Sequence, residues 1–258
     1  MNYYMITNVG TLLRSTYAQT YPRHLALAPM ICKNPAHAAL IMQMARRGTR
    51  IILDNGAHEG ITIDEEVYLD VAVGIQPSIV VLPDVVGWPA EKSRARGMRF
   101  HDRAMKTTLQ CEYMYALQGS DPDDALRDYQ WAITHLDPLH YVIGLGQVYL
   151  LWEKAYHIYG EEARVRMMQD MASSCPIPER YRFHILGARW APPPSPLTAV
   201  GLDVVGIDSI KPCHCAANDL VYPNKPTRAC SRMSNRRVPD RLLRLNVAEF
   251  GRLYGAAI

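Results

Sequence analysis

The chain has 258 residues, 48% hydrophobic and 21% charged, with a net charge of +3. That composition describes an ordinary globular protein with a sizeable core, and no apolar run approaches the ~20 residues that a membrane span needs. The start, Met1-Asn2-Tyr3-Tyr4-Met5, lacks the basic residues and long apolar stretch of a signal peptide, so a cytoplasmic location is expected by default.

Apolar runs alternate with amphipathic stretches along the chain. His24 to Met30 reads as a first strand and Ala36 to Arg47 as the helix after it. Arg50 to Leu53 is the second strand, followed by a helix over Asp64 to Val73 with acids in its first turn. Ser78 to Leu82 is the third strand; Pro89 to Met105 is a helix with proline near its first position. Glu112 to Leu117 is a strand, and Ser120 or Asp121 caps a helix over Pro122 to Thr134. Tyr141 to Ile143 is a short strand before a long helical region, Tyr149 to Ala172. Arg182 to Leu186 and Val204 to Ile207 are strands flanking a short helix over Ser195 to Gly201, and Asp240 to Tyr254 is the last helix.

Strands alternating with helices imply a parallel sheet. Asp54, Asp84, Gln118, Gly144, His184 and Asp208 recur about one βα unit apart. The spacing predicts a single-domain (β/α)8 TIM-like barrel over residues 1–258, with an open doubly wound sheet as the competitor. Only seven strands are evident, so the eighth unit is expected to be irregular or incomplete, its strand falling between Leu220 and Met233.

The six cysteines (Cys32, Cys111, Cys175, Cys213, Cys215, Cys230) are too scattered for a disulfide framework and are expected to be reduced. The segment 211–258 is basic: Lys211, Lys225, Arg228, Arg232, Arg236, Arg237, Arg241, Arg244 and Arg252 stand against Asp219, Asp240 and Glu249. Such a segment either neutralises phosphates or is a solvated helix face.

Asp54, Asp84 and Asp208 each end an apolar run, where an acid is costly to hold. Any one of them has a bland explanation, capping the next helix or pairing with a neighbouring basic residue. Three at matching positions, with Gln118-Gly119 and Gly144-Leu145-Gly146 at two further strand ends, describe one polar pocket. Carboxylates, an amide and exposed backbone N–H groups are suited to reading the edge of a heterocyclic base.

The ordered set Leu53-Asp54-Asn55-Gly56-Ala57, Pro83-Asp84, Leu117-Gln118-Gly119, Ile143-Gly144-Leu145-Gly146, His184-Ile185-Leu186-Gly187 and Gly206-Ile207-Asp208-Ser209 resembles the tRNA-guanine transglycosylase superfamily. Within it, the set is most similar to the short phage- and bacterium-associated branch that inserts 7-deazaguanines into DNA. The resemblance implies that Asp208 is the nucleophile at C1′ and that Asp54 is the second catalytic acid. It further implies that Asp84 accepts from the base N1–H and 2-amino group. Gln118, Gly119 and Gly144 would donate to its carbonyl, and Leu145 and Leu186 would shape the space around the 7-substituent. The partners implied are DNA, with tRNA as the alternative, and a free 7-deazaguanine; relatives often form homodimers.

The chain departs from the family in places. The tRNA enzymes carry a structural zinc on Cys-x-Cys-x2-Cys with a later His; here Cys213, His214, Cys215 and Cys230 are the available ligands, with two of them awkwardly adjacent. His58 and Glu59 replace an aromatic and an amide, and His184 reads as a satisfied core histidine. Trp190 would either stack on a base or pack under the loop Ala191-Pro192-Pro193-Pro194-Ser195-Pro196, and Arg228, Arg232, Arg236 and Arg237 are the candidate phosphate contacts. No phosphate-binding Gly-rich loop or dinucleotide fingerprint is present, so no organic cofactor is expected. A barrel N-glycoside hydrolase using the same carboxylates, and a nucleic-acid-binding relative without turnover, are the competing functions.

Overall fold

A computed structural model describes residues 2–7, 9–57, 60–61, 63–175, 180–187, 203–209, 215–216 and 238–254. Eight parallel strands pair in chain order and close into a barrel: β1 (Asn2–Met5), β2 (Arg23–Leu27), β3 (Arg50–Asp54), β4 (Ile79–Val81), β5 (Glu112–Ala116), β6 (Tyr141–Leu145), β7 (Arg182–Ile185) and β8 (Asp203–Ser209). The closing pair is β1 with β8, four residues in register from Asn2↔Gly206 to Met5↔Ser209. Around the barrel lie α1 (Val9–Arg14), α2 (Thr16–Thr20), α3 (Ala28–Lys33), α4 (Pro35–Arg46), α5 (Glu65–Ile75), α6 (Ala90–Ala104), α7 (Pro122–His135), α8 (Leu150–Tyr156), α9 (Glu161–Ser174) and α10 (Asp240–Tyr254). The fold is a (β/α)8 barrel.

Strand alternation divides the apolar residues into two layers. Tyr4, Leu25, Ile52, Ile79, Val81, Met114, Ala116 and Val142 fill the barrel interior. Their neighbours Tyr3, Ile51, Leu53, Val80, Tyr113, Tyr115 and Ile143 face the helices in a larger core. Complete burial of an aliphatic side chain in either layer contributes ~1.5–3 kcal/mol.

The missing strand is at the N-terminus: Asn2–Met5 closes the barrel, and the seven strands evident in the sequence are β2 to β8. Four residues cannot display alternation, and β1 is held from both sides. Tyr3 packs outward against Phe250 of α10 at 4.8 Å between ring centroids, and Tyr4 packs inward. The last helix is tied to this end of the chain, because Asp240 accepts from Ser15 Oγ at 2.5 Å and from the Tyr17 N–H at 3.2 Å. The region expected to supply an eighth strand, 220–233, and the expected short helix, 195–201, lie outside the described residues.

Other boundaries shifted for local reasons. The first expected strand ends at Leu27, because Pro29 sits in the first turn of α3. Pro89 is the N-cap of α6, not its first helical residue; the Asp124 carboxylate of α7 takes the Ala90 N–H there at 3.0 Å. The region Tyr149 to Ala172 is two helices, separated where His157 (φ 54°) and Gly160 (φ 63°) turn left-handed. Asp64 and Asp121 cap α5 and α7 through their side chains.

Candidate active site

At the C-terminal ends of the strands some inward-facing positions are polar, while Ile6, Leu27 and Leu186 remain apolar against the interior. Asp54 continues the inward phase of Ile52, Gly144 that of Val142, and Gln118 that of Met114 and Ala116. Polar residues converge on this rim in (β/α)8 enzymes generally. Register links them around the barrel: Ala116 pairs with Gly144, Gly144 with His184, and His184 with Gly206.

Asp208 reaches the interior through a β-bulge. Phe183 pairs with Val204, but His184 pairs with Gly206, so Val205 is an extra residue on β8. A one-residue shift inverts every side chain beyond it. Without the bulge Asp208 would point at the helices; with it, Asp208 stands opposite the inward-facing Tyr4 of β1.

Asp208 is 1% exposed and both its oxygens are held. His184 Nε2 lies 2.9 Å from Oδ2, and the Gly187 N–H donates to Oδ1 at 2.8 Å. His184 is also 1% exposed, with Tyr4 edge-on at 5.3 Å. Gly206 makes the ring's place available, since a Cβ there would stand 2.3 Å from His184 Nδ1. His184 is the satisfied, buried histidine that the sequence led one to expect, and the partner that satisfies it is the strand-end carboxylate. The signal was present in the sequence, as Arg182, His184 and Leu186 share the inward phase of β7.

A second group forms around Asp84, three residues beyond β4. Gln118 Nε2 donates to Oδ2 at 2.6 Å and Asn55 Nδ2 to Oδ1 at 2.9 Å. Burial pushes the Asp84 carboxyl above its ordinary value, against the opposing effect of these two amides and Arg96. Asn55, itself buried, was named in the sequence only as part of a motif. Asp54 accepts the Gly56 N–H on Oδ1 at 2.7 Å, within the turn that follows β3. Tyr68 lies beneath both acids; its hydroxyl donates to Leu53 O at 2.9 Å and Val81 O at 2.8 Å, joining β3 to β4. A cavity of about 160 Å³ opens beside Asp84, with Asn55, Ile61, Tyr68, Pro83 and Arg96 among its walls. Asp208 is not among those walls.

Behind Gln118 lies Asp128 of α7, 1% exposed and unnoticed in the sequence. It accepts from Tyr115 Oη at 2.7 Å and from the Gln118 N–H at 3.3 Å, with Arg94 Nη1 at 4.0 Å. Burial raises its carboxyl to about 6. The signal was its spacing: Ala125, Tyr129 and Ala132 place Asp128 on the core-facing side of α7. Arg164 of α9 is equally buried, its guanidinium 4.5 Å from the Tyr149 ring centroid.

Packing sets the surroundings of Leu145, Leu186, Gly144 and Gly119. Leu145 packs in the outer core, facing the helices, so Leu186 is the side chain at the barrel interior beside Gly144. A Cβ on Gly144 would meet Leu186 Cδ1 at 3.0 Å. Gly119 is required by the close approach of α7: a Cβ would stand 2.7 Å from the Ala125 backbone nitrogen. Arg228, Arg232, Arg236, Arg237, Trp190, His58 and Glu59 lie outside the described residues, as do Cys213, His214 and Cys230 of the candidate zinc ligands. Cys215 is fully buried in the outer apolar core. No cluster of metal-ligating side chains occurs among the described residues.

The fold and rim together define a (β/α)8 barrel with buried, hydrogen-bonded carboxylates at the C-terminal ends of its strands. Neither a family model nor a curated protein matches this chain. Among the described residues no helix is long and apolar enough to cross a membrane.

Proposed function

We propose that this protein is a glycosyltransferase of the guanine transglycosylase type, exchanging guanine in DNA for a 7-deazaguanine such as preQ0 or preQ1. The observation that carries the reading is the presence on one rim of two differently held carboxylates. Asp208 is fixed by a ring N–H and a backbone N–H, and Asp84 lies between two side-chain amides.

In the proposed reaction Asp208 attacks C1′ of the target nucleotide, the C1′–N9 bond breaks, and its electron pair leaves on the guanine, which Asp54 protonates. The reverse sequence then joins C1′ to N9 of the incoming base, whose N9 proton returns to Asp54. Two carboxylates with divided roles around a sugar with oxocarbenium character follow the logic of retaining glycosidases. Asp84 would take the N1–H and 2-amino hydrogens of the base, donors that offset the cost of its burial. A buried set of this kind rejects adenine, which would leave those groups unpaired. The target base must leave its stack to reach the rim. The basic segment 211–258, with Arg228, Arg232, Arg236 and Arg237, would hold the phosphates.

The test is incubation of the protein with guanine-containing DNA or tRNA and radiolabelled guanine or preQ0, alongside Asp208→Ala and Asp54→Ala. Label entering DNA with the parent alone is the expected result. Label in tRNA alone would change the substrate, and base release without incorporation would make the protein a hydrolase.

A further inference from the structure

The geometry points to His184 as a positioning residue that acts through Asp208 to release the covalently held sugar in the second half of the exchange. This rests on the transglycosylase reading above. A buried histidine can be satisfied by a backbone carbonyl, as His24 is by Ala18 O at 2.8 Å. His184 is instead directed at the Asp208 carboxylate, 2.9 Å away, with both side chains 1% exposed. Three features of the chain serve that contact. The bulge at Val205 turns Asp208 inward. Gly206 leaves the space where a Cβ would stand 2.3 Å from the ring, and Tyr4 braces the ring edge-on.

The chemistry follows from where charge resides. As the C1′–O bond stretches in the oxocarbenium-like transition state, negative charge develops on the Asp208 oxygens, and the His184 and Gly187 donors stabilise it there. In the glycosyl ester that charge is absent and the donors gain less. Their differential effect therefore lowers the barrier to ester breakdown. In that step the C1′–O bond breaks, its electron pair returns to Asp208, and N9 of the incoming base bonds to C1′ as its proton passes to Asp54.

The test compares the full-length parent with His184→Ala and His184→Gln in three measurements: label exchange, the fraction of protein trapped as ester on denaturing quench, and KM for free guanine. In His184→Ala, kcat should fall on the order of 10²-fold. The ester should accumulate, and KM for guanine should stay unchanged because base recognition lies at Asp84. In His184→Gln an amide N–H replaces the ring donor and should recover about tenfold of the loss. A purely structural role would slow ester formation and breakdown alike, without accumulation and without rescue by Gln, and would overturn the proposal. Full-rate exchange by His184→Ala would overturn it alone. A parent that exchanges no base in DNA or tRNA would overturn the transglycosylase reading and this role with it.

Discussion

Replacing Gly206 with alanine tests how tightly the rim is built. The new methyl carbon would lie 2.3 Å from Nδ1 and 2.9 Å from Cε1 of His184, and 3.3 Å from Cε2 of Tyr4. Ordinary contact between carbons needs about 3.5–4.0 Å, so the ring must retreat by about 1 Å. It cannot do so and keep its 2.9 Å bond to Asp208. Overpacking a core costs ~1–3 kcal/mol, and losing a hydrogen bond to a charged group ~1.5–3 kcal/mol. Together Gly206→Ala should cost about 3–5 kcal/mol, a large part of the ~5–15 kcal/mol that stabilises a typical domain. Urea unfolding of the parent, both single variants and the double variant with His184→Ala completes the cycle. Once the imidazole is gone the methyl has room, so its cost should fall below about 1 kcal/mol, a coupling of at least ~2 kcal/mol. Equal costs in the two backgrounds would refute the packing of Gly206 against His184.

Asp128 makes stability depend on pH. Its carboxyl is raised from 3.8 to about 6 by burial, so between these values the folded protein keeps a proton that the unfolded chain has lost. This contribution to stability therefore falls as pH rises through pH 4–6, by on the order of 3 kcal/mol. The parent's stability relative to Asp128→Asn should be higher at pH 4 than at pH 7; urea midpoints giving a constant difference, or one growing with pH, would contradict this. Tyr68→Phe leaves the carbonyls of Leu53 and Val81 without their shared donor. It should cost ~1–3 kcal/mol in urea unfolding, and a change within about 0.5 kcal/mol would remove the tie between β3 and β4 from the account.

The barrel was legible in the sequence because its strands are short apolar runs spaced one βα unit apart, and the acids Asp54, Asp84 and Asp208 marked the ends of three of them. What escaped depends on contacts between segments distant in the chain. β1 is four residues long and is a strand because β8 lies beside it. The bulge at Val205 exists only in the pairing of β7 with β8. His184 was legible as a satisfied core histidine, but its carboxylate partner was not, being 24 residues away in the chain. Gly119 was legible as a strand-end backbone position and Gly206 only as part of a motif; nothing local says that Ala125 and His184 occupy the space their side chains would need. Asp128 and Asn55, by contrast, carried local signals: an acid on a core-facing helix position and an amide beside a strand-end acid.

The most direct test of the account is to identify the residue that carries the sugar. The protein is mixed with guanine-containing single-stranded DNA, quenched in denaturant and digested, and the cross-linked peptide is sequenced by mass spectrometry. The account predicts a DNA adduct on the β8 peptide at Asp208, lost in Asp208→Asn and discharged by free guanine before the quench. An adduct on Asp54 or any other residue, or guanine release with no adduct at all, would contradict it.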